Sequence, residues 1–368
     1  MTGASTTLDL VDQAVTRARL AALLGRLLAG EPGPDLAPLV AAVERLAPLA
    51  DGGPSLAADY ERLLLREVPL YESVFLDAGG QRGGPTASAV SAAYESVGFD
   101  EMGAWRVAGP DHLGLELRCY AHLCAEEAAG WESDQPDRAV RAVEAARGFL
   151  ATHLGSWGEV AMEAVRRRAG ASPYADVAVA VTSFLASEAE RLRPDPDHPG
   201  LPPVDVDAPP RRMGPHRLSR WLLAPACSGA YLDTEDLGAA ALALGIPWRP
   251  SDPRSRFEQV VEDASSGGDL DALLAELRRA IVRWRDFHAE REATRSGDTR
   301  TWRAWRLRTE RTLELVDRTA DLAGSDVDDD AARDVLAATL HELHALDGDF
   351  AGEARRVLCQ LLDGEVGA

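Results

Sequence analysis

Apolar residues recur along this chain at helical spacing. Leu8, Val11, Val15, Leu20, Leu23, Leu24, Leu27 and Leu28 fall on one face of a 3.6-residue period, with Gly30 just past the end. Such a stripe buries one side of an α-helix, and a following glycine is a favoured stop. The same reading predicts helices over 35–49, 59–66, 86–97, 110–130, 136–153, 156–169 and 173–192. Pro69 ends the helix over 59–66, and Pro136 stands where a first-turn proline is tolerated. Further helices are predicted over 215–223, 234–244, 254–264, 269–293, 299–322 and 330–363, with Asp233 as an N-cap. No alternating run of length and no repeat is found. The expected fold class is all-α, a helical bundle with an additional C-terminal helical region.

Two stretches interrupt the pattern. "DAGGQRGGP", residues 77–85, carries four glycines and reads as a flexible loop. Residues 194–210 hold seven prolines in seventeen positions, too many for a helix. They predict an extended, semi-rigid linker. The expected division is a core over 1–193, a linker over 194–212 and a helical extension over 213–368.

Composition supports a packed helical protein. Of 368 residues 46% are hydrophobic but only 6% aromatic, and leucine and alanine fill most apolar positions. The formal charge of −21 repels nucleic acid and anionic lipid and attracts basic partners. Every basic residue apart from histidine is arginine. Residues 278–311 hold eleven arginines against five acidic residues, a local net of +6. A solvated helical face paired with acidic neighbours is the expectation there, with a partner-binding patch as its rival. Trp284, Trp302 and Trp305 fall at helical spacing in this stretch, which favours core over nucleic-acid stacking. The N-terminus lacks the pattern of a signal peptide, and no apolar run is long enough to span a bilayer. Cys119, Cys124, Cys227 and Cys359 form no CxxC and no disulfide framework, which suits a reducing cytoplasm.

"PDHLGLELRCYAHL", 110–123, is the most suggestive chemistry. Pro110 and Asp111 suit a helix start, and the positive helix end should keep His112 neutral near pH 7 unless Glu116 compensates. Glu116 shares the face of His112 one turn on, and His112 is expected at the border of the buried stripe, reachable from solvent. No GxSxG elbow accompanies the Asp-His pair. His112, Glu116, Cys119 and His122 are metal-ligand types, but the last three drift around the helix. "HELH", 341–344, lacks the HExxH spacing of zinc proteases. No metal and no cofactor of the chain's own is expected. A second stretch, "YERLLLREVPLYESVFLD", 60–77, has Tyr60, Leu63 and Leu64 on one face. Pro69, Tyr71 and Glu72 follow in a turn, and together these are parts of a peptide groove: apolar walls and a carboxylate.

These two stretches, in this order, resemble the TorD/DmsD/NarJ family of molybdoenzyme maturation chaperones. Tyr60-Glu61-Arg62-Leu63-Leu64 is similar to its aromatic-x-x-Leu-Phe signature, with leucine for phenylalanine. "VPLYES", 68–73, resembles its proline-tyrosine-glutamate-serine turn. Pro110-Asp111-His112 resembles its Glu-Pro-x-Asp-His signature, although Ala108 and Gly109 stand where the acid is usual. "FLATHLGSW", 149–157, and "FLASE", 184–188, resemble later segments, so the likeness covers about 8–192. The resemblance implies a cytoplasmic, non-enzymatic chaperone. Its partner would be the N-terminal peptide of a molybdenum-cofactor oxidoreductase catalytic subunit, often a twin-arginine signal, with the apoenzyme held until cofactor insertion. It also implies a monomer or a domain-swapped dimer. The peptide-binding residues would be Tyr60, Leu63, Leu64, Pro69, Tyr71, Glu72, Pro110, Asp111, His112 and Glu116. Two alternatives stay open: a helical enzyme handling metal or cofactor through His112, Glu116 and the cysteines, or a scaffold acting through the Arg/Trp region.

Overall fold

The computed structural model describes residues 6–30, 35–50, 54–100, 109–193, 214–248, 252–295 and 299–324. Among these the regular elements are all helical, and the fold class is all-α as the periodicity predicts. The chain groups into two compact units, Met1–Val316 and Asp317–Ala368. Only the end of one helix in the second unit is described. The expected linker 194–212 and the expected helix 330–363 lie outside the described residues.

The first long helix, α1 (Thr7–Ala29), starts on a capping box in which Thr6 and Asp9 satisfy each other's backbone amides. It packs along α6 (Leu113–Glu132), running in the opposite direction. At one end of the pair Arg17 binds Glu127 at 2.7 Å. At the other, Gly25 meets Gly114, and a Cβ on Gly114 would lie 2.7 Å from the Gly25 carbonyl oxygen. The two backbones therefore touch only because both residues lack side chains. Between α1 and α6 run α2 (Ala37–Ala41), α3 (Pro54–Tyr60), α4 (Glu72–Leu76) and α5 (Pro85–Ser96). After α6 come α7 (Pro136–Phe149), α8 (Gly155–Ala169) and α9 (Tyr174–Leu192). The buried Glu188 accepts from Tyr120 and pairs with Arg17 and Arg191, which ties α1, α6 and α9 together.

Three predicted helices are subdivided. The 35–49 helix is α2 followed by a 3₁₀ segment, Glu44–Leu49, with Val43 extended between them. Pro48 has no amide proton with which to continue an α-helix. The 59–66 helix is the end of α3 running into a π-helical turn, Glu61–Glu67, closed by Val68 N–H to the Leu63 carbonyl at 2.8 Å. The wider turn buries the adjacent Leu63 and Leu64 together. A second π turn, Leu150–Leu154, joins α7 to α8 and interrupts the predicted 136–153 helix.

Beyond the proline-rich stretch lie α10 (Pro215–Leu222), α11 (Pro225–Ser228), α12 (Thr234–Ala243), α13 (Pro253–Gly267), α14 (Leu270–Thr294) and α15 (Arg300–Gly324). Asp233 caps α12 as expected, in a full capping box with Asp236. Within the first unit these helices pack against the earlier ones. Tyr231 stacks on Phe75 at 5.4 Å, the Trp305 indole donates to the Ser156 carbonyl at 2.9 Å, and Arg168 bridges Glu67 and Asp233.

Substituting Gly114→Ala is expected to lower unfolding free energy in urea by roughly 1–3 kcal/mol, because α1 and α6 must separate to admit the methyl group. Gly148→Ala, where an added Cβ meets nothing within 4 Å, is the control and should change little.

Candidate functional site

Two segments distant in sequence are spliced at the centre of the first unit. The turn before α4 and the turn before α6 meet in a single antiparallel bridge, Tyr71 to His112. Glu72 N–H donates to the Asp111 carbonyl at 2.8 Å, and Leu113 N–H donates to the Leu70 carbonyl at 2.9 Å. The Asp111 carboxylate adds a second layer. Its Oδ2 accepts the Ser73 amide at 3.0 Å and also the Ser73 hydroxyl. Ser73 Oγ in turn accepts Gly83 N–H at 3.0 Å, which ties the glycine-rich loop to the splice. From the other side, Tyr94 OH on α5 donates to the Pro110 carbonyl at 2.7 Å.

His112, not Asp111, is the N-cap of α6. Its Nδ1 accepts Gly114 N–H at 3.1 Å, which leaves the ring proton on Nε2. Asp111 is thereby free to serve Ser73. Burial, reinforced by the Arg82 guanidinium, pushes the His112 pKa down to about 4, so the ring is neutral at pH 7. Tyr71 packs edge-on against it, with ring centroids 5.0 Å apart. Arg82 lies over the Tyr71 ring, 4.5 Å from its centroid.

Behind the splice sits a layer of buried acids. Glu72 accepts from His153 Nδ1 at 3.0 Å, and Glu116 accepts from the Trp157 indole at 3.3 Å. The carboxyls of Glu72 and Glu116 are also in hydrogen-bonding range of each other. Burial, then the neighbouring charge of Glu72, raises the Glu116 pKa well above the carboxylate range. Glu116 Oε1 is buried and faces no donor. A proton on Glu116 lets it donate to Glu72 and removes the repulsion of two buried anions. Burial also raises Glu72, partly offset by His153.

The structure brings Tyr71, Glu72, Pro110, Asp111, His112 and Glu116 together. It does not expose them in the way the sequence suggests. Asp111 is 1% exposed, His112 4% and Glu116 0%. The expectation that His112 is reachable from solvent is therefore corrected: α6 starts beneath the splice, and Tyr71 covers the ring. Pro69, Gly109 and Pro110 are half-buried and Arg82 is exposed, so these form the accessible rim with the edge of Tyr71. Tyr60 packs elsewhere, against Tyr174 of α9 with centroids 6.2 Å apart, and Leu63 and Leu64 are core. Sequence reasoning overlooked Ser73, Arg82, His153 and Trp157. The only signal for Arg82 was its position between two glycine pairs.

The alternative chemistries find little in the geometry. Among the described residues, no group of three or more His, Cys, Asp or Glu side chains is placed to hold a metal ion. Burial pushes the Cys119 thiol far up and the Cys124 thiol to about 12, so neither is a thiolate at neutral pH. Trp284, Trp302 and Trp305 are buried around His288 and not displayed. Several arginines of this stretch pair with acids: Arg283 with Asp236, Arg295 with Glu159, and Arg303 and Arg306 with Glu292. Both observations follow the plainer of the two sequence readings. "HELH" and Cys359 lie outside the described residues. No described helix is long and apolar enough to cross a membrane.

The fold and site thus describe a helical protein whose central splice is built from two loop segments over buried acids. Residues 33–163 match a family model described as the nitrate reductase delta subunit. The matched region covers less than half of the chain but contains both halves of the splice and His153. No curated protein matches the chain.

Glu116 gives the site a pH signature. Its folded pKa lies above the unfolded value of 4.5, so its contribution to stability is complete below pH 4.5 and is lost as pH rises towards the folded value. Glu116→Gln keeps a donor for Glu72 and an acceptor for Trp157 at every pH. Urea unfolding at pH 5 and pH 8 should show wild type losing stability relative to this variant, at up to about 1.4 kcal/mol per pH unit. Parallel curves would mean that Glu116 is ionised in the folded protein.

Proposed function

We propose that this chain is a maturation chaperone for the catalytic subunit of a molybdenum-cofactor oxidoreductase and binds that subunit through its N-terminal peptide. The observation that carries the reading is the splice itself. Two short motifs that resemble those of molybdoenzyme chaperones lie far apart in sequence, and their residues meet in one place. The match to the nitrate reductase delta subunit, a family of molybdoenzyme chaperones, supports the class. The peptide, a twin-arginine sequence within it and the holding of apoenzyme for cofactor insertion belong to the proposal. So do a cytoplasmic location and the absence of catalysis.

The proposed division of labour follows burial. Pro69, Tyr71 and Pro110 touch the peptide. Asp111, His112, Glu72 and Glu116 fix the rim from beneath, and Tyr60, Leu63 and Leu64 anchor the turn that leads into it. In this reading residues 1–193 are the chaperone core and 213–368 an extension, and the contacts of α11 and α12 with the core support a bracing role for the extension.

Tagged protein purified from its native host should retain the catalytic subunit of a molybdenum-cofactor oxidoreductase, identified by mass spectrometry. A peptide spanning that subunit's N-terminus should then bind in calorimetry. Asp111→Asn weakens the hold on Ser73 without removing its bulk. It should reduce peptide affinity by about tenfold, equivalent to ~1.4 kcal/mol, with helicity retained in circular dichroism. Recovery of no such subunit, or a peptide that does not bind, would falsify the reading.

A further inference from the structure

We infer that Arg82 is an internal placeholder on the Tyr71 face and is displaced by an arginine side chain of the bound peptide. The inference rests on the peptide-binding reading above and adds the means by which the empty site is covered. Arg82 is exposed, and its guanidinium stacks over the Tyr71 ring at 4.5 Å. Among the described residues no carboxylate pairs with it, unlike Arg167, which also lies over a ring but is bound to Glu163. Among the described residues, the contact that holds it is the ring face. The base of its loop is fixed. Arg254 donates to the Gly79 and Gly80 carbonyls at 3.0 and 3.3 Å, Ser73 holds Gly83 N–H, and Thr86 binds Asp77. Gly80, Gly83 and Gly84 adopt positive φ, the left-handed backbone that glycine enters freely. Only the tip, Gln81 and Arg82, is exposed between these anchors. The arginine can thus leave the ring without disturbing the splice.

The chemistry selects the incoming group. The acids that the sequence offered for recognising a basic ligand are committed elsewhere: Glu72 to His153, Asp111 to Ser73, and Glu116 to Trp157. What lies at the rim is Tyr71, 8% exposed beneath a planar guanidinium that already rests on its ring. A second guanidinium can take the same place, whereas an ammonium forgoes the planar stacking. A stacked contact this exposed favours the covered state by a factor of only about two to five. Arg82 therefore shields Tyr71 while the site is empty and yields to a ligand anchored by further contacts.

The test compares full-length wild type, Arg82→Ala and Gln81→Ala by NMR titration with N-acetyl-Arg-Arg-amide, using N-acetyl-Lys-Lys-amide as reference. Arg82→Ala should bind the arginine peptide about three- to sixfold more tightly than wild type. Gln81→Ala should match wild type, and the lysine peptide should gain less. A gain confined to Arg82→Ala supports the placeholder. Unchanged or weaker binding in Arg82→Ala overturns it, as does the absence of binding to either protein. Either negative result leaves the chaperone reading to stand or fall on recovery of the catalytic subunit.

Discussion

One carboxylate holds the site in register. Asp111 accepts two donors from Ser73, a residue 38 positions away. Charged acceptors make the stronger hydrogen bonds, and at 1% exposure neither side can turn to water instead. The bridge between Tyr71 and His112, the cap on α6 and the tether to Gly83 all follow from this closure. Without it, the turns before α4 and α6 would be two separate loops. The near contact of Gly25 and Gly114 acts at the same point from below, since it sets how deeply the start of α6 sits against α1.

The distribution of charge is less simple than the sum of −21 implies. Acidic residues near the splice are turned inward and matched to a histidine, an indole, a serine or one another. They stabilise the shape of the rim and present little charge on it. An acidic exterior still draws basic partners over a distance set by ionic strength. Close recognition then falls to aromatic and apolar surface. Long-range attraction and short-range selection are in this way assigned to different residues.

The class and the long helices were legible because the leucine and alanine period is strong through α1, α6 and the later helices, whereas the short α4 and α11 were not anticipated. Capping was legible at Asp233, where the acid precedes a clear apolar stripe. At Asp111 it was not, because an acid beside a helix start suits that position whether or not a distant serine claims it, and His112 is the cap. The π turns at Glu61–Glu67 and Leu150–Leu154 leave no separate mark in a short apolar pattern. Proximity of the 60–77 and 110–116 motifs was anticipated, but burial was not. Both segments carry polar residues, and polarity alone does not distinguish a solvated rim from a satisfied interior network. His153 and Trp157 lay in a segment noted only for likeness, since nothing local signals that they face Glu72 and Glu116.

The buried acid pair has one more consequence. A neutral carboxylic acid absorbs in the infrared apart from both amide and carboxylate groups, and Glu116 is a buried acid whose environment favours that neutral form. In that form it is an intrinsic vibrational reporter at the heart of the splice. Entry of water, or a shift of Glu72 when the rim is occupied, would register in that band without any label.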